Sequence, residues 1–259
     1  TVKGGEYEYG ENAGVSIDLS TAEGVPVDGI VILTVDGVDY AVNVTDGCGS
    51  IEINGLASGN YTVEGRFIGS DNYEASALAS GILVINPSRD AVLDVSVDDI
   101  GYGENATVIV GVVDGEGKPV NTTVKVSVDG NDPVEVEVVE GKAEVPVSGL
   151  DVGAHNITVE LDDDNYDAPA VTVPVVVSPG SAALDISVND PVYGENATVT
   201  VELKDENGNG LNGTVNISVG DEVIPVEIVD GKATVDLGAL DAGEYPVIAE
   251  FDSDNYDSA

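Results

Sequence analysis

The chain has 259 residues with 49 Asp and Glu against 8 Lys and Arg, which gives a formal net charge of -41. Such a charge repels phosphate backbones and anionic lipids, so it excludes nucleic-acid binding and opposes membrane association. No stretch reaches the ~18 apolar residues of a membrane helix, so we expect no membrane insertion in this segment. The acidity has two explanations, a solvated extracellular surface or adaptation to high salt.

Three copies of one unit make up the chain. The stretch Tyr-Gly-Glu-Asn-Ala begins at Tyr9, Tyr102 and Tyr193, at intervals of 93 and 91 residues. A period of this size is too long for a solenoid repeat and fits a small β-sandwich. The sequence therefore predicts three domains, at residues 1–89, 90–181 and 182–259.

Valine and threonine alternate within each unit, between Gly-containing turns, which predicts an all-β fold. Repeat two is the most complete, and its predicted strands are residues 91–97, 105–113, 121–128, 133–139, 142–147, 155–161 and 168–177. Seven short strands with one apolar face indicate an antiparallel sandwich.

Repeats one and three are incomplete versions of this pattern. Repeat one has only residues 1–3 as its first strand, and repeat three stops where its last strand is due, so we expect an excerpt of a longer protein. Without that strand, the predicted strand 245–251 is an open apolar edge. Either a later part of the same chain or another chain supplies the missing strand.

The linkers, residues 86–90 and 178–181, are short and contain one proline each. We expect neighbouring domains to lie end to end with limited bending.

Three motifs carry a resemblance to a known family. They are the Tyr-Gly-Glu-Asn opening, the Leu-x-x-Gly-x-Tyr corner at Leu56–Tyr61 and Leu240–Tyr245, and the closing Asp-Asn-Tyr that begins at Asp71, Asp164 and Asp254. The chain resembles bacterial Ig-like (Big family) tandem repeats, as found in adhesin-like surface proteins of methanogenic archaea. The resemblance implies three tandem immunoglobulin-like sandwiches in an elongated array, and a location on the cell surface.

Tyr61 and Tyr245 stand where a tyrosine corner is expected, with the hydroxyl bonded back to the main chain. The only histidine, His155, occupies the same position in repeat two. We therefore interpret His155 as a structural ring and not as a catalytic or metal-binding group.

Calcium is the one ion that the sequence suggests, through clusters of oxygen-bearing side chains. Asp205, Asn207 and Asn209 match the first half of an EF-hand loop, but the twelfth position is Asn216 and not the bidentate Glu. The turns after the sixth predicted strand hold further candidates, and these are Asp162, Asp164, Asp252 and Asp254. The alternative for every cluster is a solvated turn, and no other cofactor is expected.

Asn-x-Ser/Thr sequons are frequent and predict surface N-glycosylation. The eight acceptor asparagines are Asn43, Asn60, Asn105, Asn121, Asn156, Asn196, Asn212 and Asn216. The alternative is that the copied strand-start composition inflates their number.

A catalytic centre is not recognisable, because the single His and the single Cys lie in different repeats and no nucleophile or phosphate motif occurs. We expect a non-catalytic stalk segment whose partners are neighbouring Ig-like repeats. Other cells, glycans or identical subunits are further possible partners. The alternatives are a glycan- or protein-binding module and a filament subunit completed by a neighbour's strand. Cys48, at a hairpin tip, is either a free thiol or an intermolecular crosslink.

Overall fold

The computed structural model describes all of residues 1–259 and is all-β, as the sequence predicts. Its 22 strands form six sheets, and two successive sheets face each other in each of three sandwiches. None of its elements is a helix long and apolar enough to cross a bilayer.

Sandwich 1 contains eight strands. They are β1 (Val2–Lys3), β2 (Glu6–Glu8), β3 (Ala13–Asp18), β4 (Gly29–Val35), β5 (Val38–Val44), β6 (Cys48–Ile53), β7 (Gly59–Phe67) and β8 (Ala79–Asn86). One sheet has the order β1-β3-β6 and the other β2-β8-β7-β4-β5. Strand β8 is therefore covered on both edges, antiparallel to β7 and parallel to β2.

Sandwich 2 repeats this order with a longer first strand. Its strands are β9 (Val92–Ser96), β10 (Ile100–Gly101), β11 (Ala106–Val113), β12 (Thr122–Val128), β13 (Val134–Val138), β14 (Lys142–Val147), β15 (Gly153–Asp162) and β16 (Val171–Ser178). The sheets are β14-β11-β9 and β10-β16-β15-β12-β13, the arrangement of an Ig-like sandwich.

Sandwich 3 has six strands in two three-stranded sheets. They are β17 (Ala182–Val188), β18 (Asn196–Asp205), β19 (Gly213–Val219), β20 (Glu222–Ile228), β21 (Lys232–Ala239) and β22 (Val247–Phe251). The sheets are β17-β18-β21 and β20-β19-β22, so β22 is an edge strand. The predicted strand 245–251 was too long, because residues 240–246 have no strand partner here, whereas in sandwich 2 β16 extends β15 back to Gly153.

The first predicted strand of sandwich 2, residues 91–97, is present as β9, but a second short segment that the sequence did not predict follows it. In sandwich 2, β9 pairs with β11 in one sheet, and β10 then crosses to pair with β16 in the other. Asp99 fixes this crossing, because its carboxylate accepts the Val176 N–H at 2.7 Å.

The hairpin tips follow the turn chemistry of the sequence. Asp46, Glu140 and Asp230 have φ near 51°, and each precedes a glycine that also has positive φ. Two successive left-handed residues define a type I′ turn, whose twist matches that of the strands. These tips carry the chain from one sheet of a sandwich to the other.

Each sandwich closes its own apolar core. Alternate residues of the central strands point inward, as in β11, where Ala106, Val108, Val110 and Val112 are fully buried. The cores hold 15, 14 and 9 buried residues in sandwiches 1, 2 and 3. The third core is the smallest because nothing covers it on the open side of β22.

Candidate functional site

The Tyr-Gly-Glu-Asn motif forms a tight turn at one end of each sandwich. Gly103 has a φ of 88°, which favours glycine, and the Glu104 carboxylate accepts the Gly101 N–H at 2.8 Å. Glu11 and Glu195 do the same in their repeats, at 2.8 and 3.4 Å. The Gly and the Glu therefore hold the turn, and the Tyr is left free to make other contacts.

That tyrosine makes a joint with the next sandwich along the chain. The Tyr9 and Tyr166 rings meet edge to face, with centroids 5.2 Å apart and planes at 76°. Edge-to-face rings attract through their quadrupoles, beyond the apolar area that they bury. Burial, followed by the nearby Tyr9, raises the pKa of Tyr166 above its ordinary value, as expected for a phenol withdrawn from water.

The asparagine of the Asp-Asn-Tyr motif binds the same neighbour. Asn165 Oδ1 accepts the Ser58 N–H at 2.8 Å, and the Ser58 hydroxyl donates to the Asp164 carbonyl. Ser58 lies in the corner before β7, so sandwich 2 contacts two separate loops of sandwich 1. Directional hydrogen bonds and ring contacts to two loops restrict the rotation of the two sandwiches against each other as well as their separation.

The linker is clamped by the same turn. The Ser88 N–H donates to the Asn165 carbonyl at 2.9 Å, and the Asp167 N–H donates to the Ser88 carbonyl at 2.8 Å. The linker is therefore paired as a short parallel bridge with Tyr166. This pairing explains why a short linker with one proline gives a defined joint.

The second joint repeats the first one. Tyr102 and Tyr256 meet edge to face at 5.3 Å and 81°, and Asn255 Oδ1 accepts the Val152 N–H at 3.3 Å. Gly180 exchanges two backbone bonds with this turn, as Ser88 does in the first joint. Burial, and then Tyr102, raises the pKa of Tyr256.

The two halves of a joint are also present without partners. In sandwich 1, Asn72 and Tyr73 of the Asp-Asn-Tyr motif are exposed, whereas Asn165 and Asn255 are half-buried. In sandwich 3, Tyr193 of the opening motif is 81% exposed. The Tyr-Gly-Glu-Asn motif of one sandwich and the Asp-Asn-Tyr motif of the next therefore form a joint wherever the neighbouring sandwich is present.

The predicted tyrosine corner is present in sandwich 1 and absent from sandwich 3. The Tyr61 hydroxyl donates to the Ala57 carbonyl at 2.9 Å, but Tyr245 makes no such bond and is 42% exposed. His155 replaces the corner in sandwich 2, because its Nε2 lies 2.8 Å from the Asp151 carbonyl, four residues upstream.

The other nitrogen of His155, Nδ1, lies 2.7 Å from a carboxylate oxygen of Asp129. This bond, and then the bond to the Asp151 carbonyl, raises the pKa of His155 above its ordinary value. Both nitrogens are donors only in the protonated ring, so the geometry favours a charged histidine with a structural role.

The calcium candidates are dispersed, and several of their oxygens already accept hydrogen bonds. Asp162 accepts from Lys125 at 2.7 Å, and Asp252 accepts from the Ser258 hydroxyl at 3.3 Å. The carboxylate that organises the acidic turn is the neighbouring Asp163, which accepts the Asn165 N–H at 2.7 Å. Asp164 and Asp254 are exposed, and no group of three or more acidic, His or Cys side chains is arranged to hold a metal ion.

The Asp205 turn has a structural use for its carboxylate. Asp205 Oδ1 accepts the N–H groups of Asn207 and Asn209, at 2.9 and 2.7 Å. Asp114 closes the corresponding turn of sandwich 2 in the same way, although that turn lacks the EF-hand pattern. A bonded aspartate turn therefore accounts for Asp205 at this position.

All eight sequon asparagines are exposed, which a glycan acceptor requires. Two of them also fix hairpin tips, since Oδ1 of Asn121 accepts the Glu140 N–H at 2.6 Å and Oδ1 of Asn212 accepts the Asp230 N–H at 2.7 Å. Asp28 plays this part in sandwich 1. Sequence reasoning missed this use, which the shared spacing to the hairpin tip could have indicated. Cys48 is an exposed free thiol.

No family model matches the chain, and no curated protein matches it. Among solved structures, the E. coli adhesin FdeC is 17% identical, with 96% of this chain and 91% of that chain covered and a TM-score of 0.35. The fibronectin(III)-like modules of Clostridium thermocellum CbhA are also 17% identical, with coverages of 69% and 94% and a TM-score of 0.31. A Salmonella alpha-2-macroglobulin variant is 14% identical, with coverages of 94% and 21% and a TM-score of 0.30.

Proposed function

We propose that this chain is a non-catalytic stalk segment of an adhesin-like protein, located outside the cell and on its surface. The repeated joint is the observation that carries the proposal. Both joints use the tyrosine and the asparagine of the same motifs, and the tyrosine rings lie 5.2 and 5.3 Å apart. When the joint is repeated together with the domain, each added domain lengthens the array and keeps the same orientation relative to its neighbour.

The joints give reach because they hold the sandwiches end to end. Strands of eight to ten residues, as in β15 and β16, give a sandwich about 30 Å long at ~3.3 Å per residue. Three such units make a rod of about 100 Å, with a radius of gyration near 30 Å, against about 18 Å for a globule of this length.

Charge supports the same role by keeping stalks apart. A net charge of -41, spread over all three repeats, disfavours lateral sticking and collapse of the array. Charge repulsion alone would also extend a chain with loose joints. Added salt distinguishes charge repulsion from bonded joints as the cause of extension, because it weakens the repulsion. Above about 0.5 M salt the Debye length falls below ~5 Å, and repulsion between exposed charges is largely screened.

Small-angle X-ray scattering at low and high salt tests the proposal. The bonded joints predict a radius of gyration near 30 Å that changes by less than about a tenth between 20 mM and 1 M salt, because hydrogen bonds and ring contacts resist screening. A value near 18 Å at high salt would refute the rod. The same sample lacking the joint asparagines, Asn165→Ala with Asn255→Ala, is the matched control and is expected to contract at high salt.

We also propose that the exposed sequons carry N-linked glycans in the native protein. Support comes from the exposure of all eight acceptors, among them Asn43 and Asn156 on outward strand positions. Intact-mass analysis of material from the native source tests this. Added mass that enzymatic deglycosylation removes is expected, and the bare polypeptide mass would refute it.

A further inference from the structure

Sandwich 3 has a groove where the other two sandwiches have a strand. In sandwich 2, β16 lies between β15 and β10, and in sandwich 1, β8 lies between β7 and β2. In sandwich 3 this place is a groove of about 310 Å³. Its apolar lining includes Val188, Val192, Tyr193, Leu237, Tyr245 and Val247.

The open side of sandwich 3 exposes a position that is buried in sandwich 2. Ile186 is 39% exposed, whereas Val95, 91 residues earlier in the same strand position, is 9% exposed. Val192, in the lining of the groove, is 67% exposed. An apolar surface of this kind beside an unpaired strand edge is a template for a further strand.

The edge of β22 shows where that strand would begin. Ala259 exchanges two backbone bonds with Phe251, at 2.7 and 3.1 Å. From Glu250 back to Val247 the outer edge of β22 has no partner, although β19 covers its other edge. The corresponding part of β15 pairs with β16, with Ile157 opposite Val173.

Sandwiches 1 and 2 define the chemistry of the occupant. The buried side chains of β16 are Val175 and Val177, and those of β8 are Leu83 and Ile85, at every second residue. Neither strand contains a charged residue. The rim of the groove carries Asp190, Glu195 and Asp241, which disfavour an acidic segment.

We propose that this groove binds an extended polypeptide segment without acidic residues and with Val, Ile or Leu at alternate positions. The segment lies antiparallel to β22 and completes the sandwich as its seventh strand. Backbone bonds to β22 supply much of the affinity, and the alternate apolar side chains supply specificity. This binding site goes beyond the stalk role and does not depend on it.

A synthetic peptide with the sequence of residues 168–178 tests the proposal on the intact chain. Labelled peptide, followed by fluorescence anisotropy, is expected to bind saturably and with one peptide per chain. The matched control peptide carries Val175→Asn and Val177→Asn, which keeps the charge and removes the inward apolar groups. We expect it to bind at least about tenfold more weakly, because burial of each valine is worth more than 1 kcal/mol.

A protein variant locates the site. Residues 170–178 fused directly after Ala259 supply the strand within the chain, so the fused protein is expected to lose binding of the free peptide. It is also expected to melt at a higher temperature, because the added strand covers the third core. Absence of saturable binding up to about 1 mM, equal binding of the two peptides, or undiminished binding by the fused protein would each overturn the proposal.

Discussion

The joint between sandwiches 1 and 2 depends on one side chain that can be removed cleanly. Asn165→Ala deletes the acceptor of the Ser58 N–H, a bond of 2.8 Å in a part-buried setting. A partly buried donor left without a partner costs about 1–3 kcal/mol. The opening equilibrium of the joint should therefore rise by about 5- to 150-fold. The Asn165 backbone keeps its bonds to Asp163 and Ser88, so we expect sandwich 2 to stay folded.

Distances between two spin labels report this opening directly. One label goes on Cys48, the only cysteine, and the other on Lys142→Cys, the matching hairpin position of sandwich 2. We expect a narrow distance distribution for the unmodified joint and a broad one for Asn165→Ala. Asn72→Ala is the control, because Asn72 holds the same place in the motif and is exposed. Equal widths for Asn165→Ala and the unmodified joint would refute a joint held by side-chain contacts.

Three further predictions concern stability. The hydrogen bond to Asp129 raises the pKa of His155, so the stability that the charged His155 provides is complete below about pH 6.5 and is lost as the pH rises through the folded-state pKa. The melting temperature of sandwich 2 should therefore fall between pH 5 and 9, and His155→Tyr should remove this pH dependence. Leu33 is fully buried, and Leu33→Ala should lower the free energy of unfolding of sandwich 1 by about 3–5 kcal/mol in denaturant titration. Asn121→Ala removes the bond to a hairpin tip and should cost about 1–2 kcal/mol, whereas Asn216→Ala, at an exposed strand position, should cost under about 0.5.

The fold could be predicted from the sequence because local and global signals agree. Alternating valines place one face of each strand inward, as in β11, and the Asp-Gly and Glu-Gly tips adopt the left-handed turns that their residues favour. The 91- and 93-residue periods then give the number of units. The crossing between β9 and β10 could not be predicted, because it depends on a long-range bond from Asp99 to Val176.

The joint was only half readable from the sequence. Tyr102 and Tyr256 belong to motifs that the repeat comparison singles out, but nothing local shows that one ring lies against the other. Their contact joins two sandwiches across 154 residues of chain, and repeats within one sequence give no pairing signal. A tyrosine that has the same sequence neighbours in every copy is compatible with a place in the core and with a place at the contact between two sandwiches. Tyr73 and Tyr193 have no neighbouring sandwich and are exposed, so these motif tyrosines belong to the contact between sandwiches.

The energetics of the joint explain why modest contacts suffice. One asparagine bond and one ring pair together contribute about 1–3 kcal/mol, which is far too little to hold two free domains together. A clamped linker changes this comparison, because the two backbone bonds of Ser88 already hold the two faces beside each other. The entropy of bringing them together has then largely been met by the covalent chain. The same contacts bias the joint towards its closed form by about 5- to 150-fold.

A joint of this strength is stiff at rest and opens under load without unfolding a sandwich, since each core buries far more residues than the joint does. The rod should therefore lengthen first at its joints, and Asn165→Ala should lower the force of that first extension.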